Sequence, residues 1–295
     1  MNQKDGERWK SQVLDEIFVA LAASEQLDEA LVFKGARVLN IRLGIGRQSL
    51  DLDSNLTAPF VQRYPDREAQ RVFLEQEITR AVRRHFERQE PVRYELIAVK
   101  VGTYPPKSHP MGWDAFKVRM NVNDLSKHVS GLPALEIDVA APEELLDTSV
   151  ATIEVGGHRV HAYTLERIAG EKLRAFLSSL PAYRAKVKKQ GDAVRAKDLY
   201  DVSRIRGVHG LDQVEFWRLA GEELRVACRS RYIDCQGLTT FQEQWAVTRK
   251  TYEEATIPKD ISFAEAEATR LAFVRFLEAQ GIVPFTFPLP EGSAG

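Results

Sequence analysis

The chain has 295 residues, of which 44% are apolar and 28% charged, with a formal net charge of -1. That makeup suits a folded chain long enough for two domains, and it excludes a globally basic nucleic-acid binder, so any such site has to be a local patch. The two cysteines, Cys228 and Cys235, match no zinc or CxxC spacing and predict free thiols. The start, MNQKDGERWK, lacks the apolar stretch of a signal peptide, and no apolar run is long enough for a membrane span, so the expected location is the cytoplasm.

Trp9, Val13, Ile17, Phe18, Leu21 and Ala22 recur at a helical period over residues 9–24. LVF at 31–33 predicts a short buried strand, and GARVLNIRLG a helix entered through Gly35 and ended near Gly44 or Gly46. SLDLD alternates and predicts a strand at 49–53. Residues 67–89 predict a long amphipathic helix with Val72, Phe73, Ile78, Val82 and Phe86 inward. The period then changes to two in RYELIAVKVG, DAFKVRMNVND and LEIDVAA, with a turn-rich TYPPKSHPMG between the first two, where His109 reads as a turn residue. TIEVGGHRVHAY predicts a hairpin turned by Gly156–Gly157. After Tyr163 come five helical segments, TLERIAGEKLRAFLSSL, VRAKDLYDVSRIRG, VEFWRLAGEELRVAC, TTFQEQWAVTRKTYEE and FAEAEATRLAFVRFLEA, with Thr164 and Ser262 as N-caps and an irregular Pro-rich end. The pattern predicts an α+β domain over 1–162 and a helical domain over 163–295, packed directly with a cleft between them.

The chemistry-bearing residues begin in QSLDLDSN. On a strand, Asp51 and Asp53 share one face, while Leu50 and Leu52 take the other. Two such carboxylates repel, and a divalent cation resolves the conflict; oxygen-only ligands favour magnesium. A polar strand edge or a turn is the plainer alternative. In LEIDVA, Ile137 and Val139 share one face and Glu136 and Asp138 the other, so Asp138, central in the run, is the preferred third acid. Three acids on two strands could hold two ions about 4 Å apart. The KGAR segment, with Lys34, Gly35 and Ala36, offers small residues and free amides at a helix start, where phosphate can approach. Arg47 and Ser49 follow as further phosphate contacts, or as part of a plain connecting loop.

Taken together, FKGARVLNIRLGIGRQSLDLDSN, LEIDVA, TLERIAGEKLRAFL and RAKDLYDV resemble, in order and separation, the AbiEii-type nucleotidyltransferase toxins of bacterial toxin–antitoxin and phage-defence systems. The resemblance spans residues 30–207 and implies the nucleotidyltransferase fold also seen in polymerase-beta-like enzymes, a mixed sheet flanked by helices and followed by a helical domain. It departs from the family at Gly35–Ala36, where members usually carry Gly-Gly or Gly-Ser; the backbone amide is kept and a serine hydroxyl is not. Carried over by residue, it implies that Asp51, Asp53 and Asp138 bind Mg²⁺ (or Mn²⁺). It implies too that Lys172 reaches the triphosphate with Arg174 nearby, and that Lys197, Asp198 and Asp201 form the last motif. The implied reaction is nucleotidyl transfer from an NTP to an RNA hydroxyl, such as the tRNA 3′ end, with growth arrest relieved by a cognate antitoxin. A catalytically silent binding module on the same scaffold, and protein nucleotidylation or kinase-like chemistry, remain as rival readings.

The helical half also reads without the family. Leu165, Ile168, Ala169, Leu173, Phe176 and Leu177 form a stripe, and Lys172 lies at its margin with a stem long enough to reach past it. Lys172 and Arg174 are two apart and diverge, while Asp198 and Asp201 share a helix face. Those acids are expected to aim Lys172 or Arg174 rather than to bind metal. Arg184, Lys186, Lys188, Lys189, Arg195 and Lys197 form the densest basic run, a candidate polynucleotide contact or a solvated loop.

Overall fold

The computed structural model describes residues 3–44, 49–107, 109, 111, 113–126, 132–188, 190–191 and 193–290. Arg47 and Lys189 lie outside the described residues, as does part of the 105–112 turn. The chain forms two compact units, 1–142 with 151–163, and 143–150 with 164–295.

In the first unit, α1 (Gln3–Ala22) and α2 (Glu25–Ala30) lead into β1 (Leu31–Lys34), α3 (Gly35–Leu43), β2 (Leu52–Leu56), α4 (Ala58–Arg63) and α5 (Arg67–Glu87). Five further strands follow: β3 (Tyr94–Tyr104), β4 (Ala115–Asp124), β5 (Leu135–Ala140), β6 (Val150–Val155) and β7 (His158–Tyr163). All seven make one mixed sheet in the order β3-β4-β5-β2-β1-β7-β6. β2 runs parallel to β5 and β1 parallel to β7, while β1–β2, β3–β4 and β4–β5 are antiparallel.

Strict alternation places Phe116, Val118, Met120 and Val122 of β4 and Leu135, Ile137 and Val139 of β5 in the core, where α5 packs on β3 and α1 on α5 and β7. The opposite residues of β4 and β5 stay exposed. The buried Asp124 at the end of β4 is satisfied by the Trp9 indole, which donates to it at 3.0 Å. Gly156 and Gly157 both take positive φ, at 57° and 81°, and turn the β6–β7 hairpin as its Gly-Gly pair predicts.

Three local expectations need correction. β2 starts at Leu52 and runs through Ser54 and Asn55, so the turn-forming residues after Asp53 are strand and Asp51 precedes it. The reason is position: β2 is central, bonded to β1 and β5, and its neighbours override turn propensity. Leu52 is buried as expected, but Leu50 is only half-buried, in a bend. On α5, the buried stripe is Gln70, Leu74, Glu77, Ile78, Val82 and Phe86. Val72 is half-buried, and Phe73 leaves the core stripe to cluster with Phe60 and Tyr64, at ring centroid separations of 4.8 and 5.3 Å.

The second unit holds α6 (Leu165–Leu177), α7 (Pro181–Lys186), α8 (Lys197–Val208), α9 (Val214–Arg229), α10 (Leu238–Phe241), α11 (Trp245–Glu254) and α12 (Phe263–Ala279). The single helix expected over 239–254 is two, broken where Gln244 takes a left-handed φ of 50°. Thr164 and Ser262 cap α6 and α12 as expected, the latter with a reciprocal bond to Glu265. α6 packs on α8 and α9. Gly170 permits the α6–α9 approach: a Cβ there would stand 2.6 Å from the Leu224 amide nitrogen.

Residues 143–150 join the helices because their side chains pair there. Arg167, fully buried on α6, donates to Glu223, Glu143 and Glu171 at 3.0, 3.2 and 2.9 Å, and Arg231 bonds Glu143 at 3.0 Å. Cys228 and Cys235 are free and buried; burial pushes both thiols up, Cys235 to about 12, which keeps them inert.

Candidate active site

The acids of the first unit are placed by strand register. Asp53 on β2 is paired directly with Asp138 on β5, and Lys34 on β1 is paired with Asp53 from the other side. Adjacent strands lie about 4.8 Å apart, so the two carboxylates leave the sheet side by side. Asp51, exposed, enters two residues earlier.

The start of α3 shapes the place that Asp53 occupies. Gly35 opens α3 with φ at +80°, and a Cβ on it would lie 2.2 Å from an Asp53 carboxylate oxygen. The missing side chain is thus occupied first by Asp53, a use of the glycine that phosphate approach does not explain. Lys34, the residue before α3, gives that helix no side-chain cap, and the first amides of any helix lack intrahelical acceptors.

Ser49 is buried, and its hydroxyl donates to the Asp51 carboxylate at 2.9 Å, so it holds Asp51 rather than facing outward. Behind it, Arg37 on α3 donates to the Ser49 carbonyl at 2.7 Å and ion-pairs with Asp15. Burial lowers the Arg37 pKa, against the pull of Asp15 and Asp51. Sequence reasoning missed Arg37; the signal was an arginine inside the otherwise small and apolar G-A-R-V-L run.

Asp138 is half exposed, with the Lys117 ammonium 3.9 Å away. Burial raises its pKa above the ordinary carboxylate value; Lys117 opposes this, while Asp51 and Glu136 add to the rise. Like charge from Asp51 that still destabilises the ionised form is what a bound cation would relieve. An all-carboxylate donor set fits a hard divalent ion. Among the described residues, however, no three acid, histidine or cysteine side chains are gathered as a ready-made ion site. The residues suit the ion by chemistry and strand placement, not as a closed cage.

In the second unit the expected basic and acidic residues separate into two roles. Lys172 on α6 ion-pairs with Asp201 at 2.6 Å and donates to Asp198 at 3.3 Å, both on α8 and both buried. Burial pulls the ammonium down, but Asp201 and Asp198 more than offset it and hold its pKa above the ordinary value. Burial would raise Asp198; Lys172 and Arg195 outweigh it and leave it lowered. Arg195 bonds Asp198 at 2.6 Å. Arg174 is committed elsewhere: it ion-pairs with Glu171, which also binds Arg167, so it belongs to the buried network with α9. Lys197 is exposed at the start of α8. In the basic run from α7 to the start of α8, Arg184 donates to the Gly191 and Ala193 carbonyls, and Lys186 to Asp234 and the Phe287 carbonyl at 2.7 Å each.

A family model described as the nucleotidyl transferase AbiEii toxin of a type IV toxin–antitoxin system matches residues 17–284. The chain belongs to this family. The AbiEii family makes it a nucleotidyltransferase of the toxin class, and implies a nucleotide substrate and an antitoxin partner. Among solved structures, JHP933 from Helicobacter pylori is similar at 14% identity and a TM-score of 0.50, over 95% of this chain and 96% of that one. A structure described as that of a putative nucleotidyltransferase from H. pylori is similar at the same identity and score, over 95% and 97%. The nucleotidyltransferase toxin MenT4 from Mycobacterium tuberculosis matches at 18% identity and a TM-score of 0.49, over 92% and 84%. The two H. pylori likenesses support the nucleotidyltransferase fold. No curated protein matches the sequence. Among the described residues, no helix of this AbiEii member is long and apolar enough to cross a membrane.

The Gly35 contact gives an expected result. Gly35→Ala forces a strained φ and pushes the Asp53 carboxylate aside; a displacement of about 1 Å at a reacting centre lowers rate about 100-fold. Steady-state nucleotide transfer measures it, and unchanged turnover would show that Asp53 does not need that seat.

Proposed function

We propose that this AbiEii member transfers a nucleotide from an NTP to a hydroxyl of an RNA, such as the tRNA 3′ end, in a reaction that needs Mg²⁺ (or Mn²⁺). The observation that carries the reading is the direct pairing of Asp53 with Asp138, with Asp51 two residues upstream, just before β2. These three would hold the cation, which when bound polarises the α-phosphate and neutralises the departing pyrophosphate. Asp138, with its raised pKa and half-exposed carboxylate, is suited to accept the proton of the attacking hydroxyl. Gly35 and Ala36 present the free amides of α3. Ser49 and Arg37 keep Asp51 in place. Arg47, outside the described residues, stays a candidate phosphate contact.

In the helical unit, Lys172 is held cationic and aimed by Asp201 and Asp198, and its charge suits a triphosphate. Arg174 supports α6 through Glu171, and Lys197 is the exposed cation of the last motif. The acceptor hydroxyl attacks the α-phosphorus, the bond to the β-phosphate oxygen breaks, and pyrophosphate leaves. Membership of the toxin class supports the reading that this reaction arrests growth and that a cognate antitoxin in the cytoplasm reverses it.

The test is incubation with α-labelled ATP, CTP, GTP and UTP and total cellular RNA, with and without EDTA. Label enters RNA from at least one nucleotide, and chelation abolishes it. Absence of incorporation, together with no thermal shift on adding Mg²⁺ and ATP, would identify a silent binding module instead.

A further inference from the structure

The strand register that pairs the acids also lays out the surface beside them. Asp138 is paired with Lys117 on β4, and Lys117 with Gly102 on β3. Two residues along, Glu136 faces Arg119, and Arg119 faces Lys100. Side chains two apart point the same way, so all of these stand on the sheet face that carries Asp53 and Asp138. Lys100, Gly102, Lys117, Arg119 and Asp138 are all exposed. On the diagonal, Arg119 lies about 7–8 Å from Asp138.

Lys100 and Arg119 sit directly opposite one another. Like charges in that position destabilise a strand pair, an arrangement worth keeping where an anion spans them. Among the described residues, no carboxylate ion-pairs with Lys100 or Arg119, although Glu136 stands next to Arg119. At the same end of β3, Tyr104 is 61% exposed, and among the described residues nothing lies within 4 Å of where a Cβ on Gly102 would be. An exposed ring beside an open backbone position is a stacking platform for a base.

We propose that this face of the sheet, with Lys100, Lys117 and Arg119 for the phosphates and Tyr104 for a base, is the track on which a single-stranded RNA end approaches Asp138. The inference rests on the transfer reading above and adds the surface that would deliver the acceptor. It also assigns that task away from the 184–197 run, where Arg184, Lys186 and Arg195 are already bonded within the unit.

Binding is measured without NTP, on the full chain, by the fluorescence anisotropy of a labelled single-stranded RNA of about 12 nucleotides, across a series of KCl concentrations in Mg²⁺. A Lys100→Gln/Arg119→Gln double variant weakens binding about tenfold and flattens the log–log salt slope by about 1.4, the share of two phosphate contacts on a single strand. Tyr104→Ala weakens binding about tenfold and leaves the slope unchanged. Arg184→Gln/Lys188→Gln leaves both unchanged. Unaltered affinity and slope in the Lys100/Arg119 variant, a slope lost instead with Arg184 and Lys188, or no RNA binding by the unaltered chain would each overturn the proposal. Because no nucleotide is present, those outcomes are read independently of whether transfer occurs.

Discussion

Replacing Asp51 and Asp53 together with asparagine lowers nucleotide incorporation about 10³-fold or more and leaves the fold in place. Each carboxylate removed takes a negative oxygen from the cation that neutralises the reacting phosphates, an interaction of several kcal/mol, and each 1.36 kcal/mol is about a tenfold change in rate. The fold survives because asparagine keeps the shape that fills the Gly35 seat, and because Leu52, Ser54 and Asn55, not the acids, are the buried part of β2. The variant also reports on local electrostatics. Asp51 is among the charges that raise the Asp138 pKa, so its removal brings Asp138 back toward the ordinary value, readable by carboxyl-carbon chemical shifts across pH. Full incorporation by the double variant would remove these acids from the reaction.

The second large effect belongs to Lys172. Lys172→Met leaves Asp198 and Asp201 buried without their ammonium, and breaking a buried pair by removing one partner costs about 3–5 kcal/mol. Arg195 still holds Asp198, which puts the loss at the lower end of that range. Hydrogen exchange of the α6 and α8 amides reads it locally, as protection lowered about 10²-fold or more.

The pH dependence follows from the two shifts. Lys172 is raised on folding, so its contribution is complete below 10.5 and is lost as pH rises through the folded value above that. Asp198 is lowered, so its contribution is complete above 3.8 and is lost as pH falls through the folded value below that. The difference between wild type and variant therefore shrinks above 10.5, where Lys172 is lost, and shrinks again toward acid pH, where burial makes the variant's stranded Asp198 take up its proton earlier than in the wild type. Unchanged α8 protection in the variant would show that the pair is not what holds α6 to α8. Adding Asp201→Asn to the variant restores part of the protection, because one of the two stranded charges is gone.

The strands were legible because alternation survives translation into structure: the exposed and buried residues of LEIDVA fall as its spacing predicts. So did the Gly-Gly hairpin, the caps at Thr164 and Ser262, and the divergence of Lys172 from Arg174 on α6. What the chain order hides is which strands become neighbours. SLDLD predicts a strand by alternation, but the turn formers in DLDSN hide its extent, and only its place between β1 and β5 carries the strand on through Ser54 and Asn55. For the same reason, nothing in DAFKVRMNVND says that Lys117 faces Asp138 or that Arg119 faces Lys100. Residues 143–150 follow a similar rule. Glu143 and Ser149 look like loop residues until Arg167, Arg231 and Glu223 are brought to them by α6 and α9. Phe73 misled because it carries the right spacing for the α5 core stripe, yet Phe60 and Tyr64 of the preceding α4 segment offer it an aromatic cluster of its own.

In the proposed reaction the phosphorus bonded to the sugar, and not the terminal one, moves to a hydroxyl on RNA. Parallel reactions with α-labelled and γ-labelled nucleotide, resolved into RNA, protein and released phosphates, test it most directly. Label is expected in RNA from the α position alone, with γ-label recovered as pyrophosphate. Transfer of γ-label, or α-label found on protein and never on RNA, would contradict it.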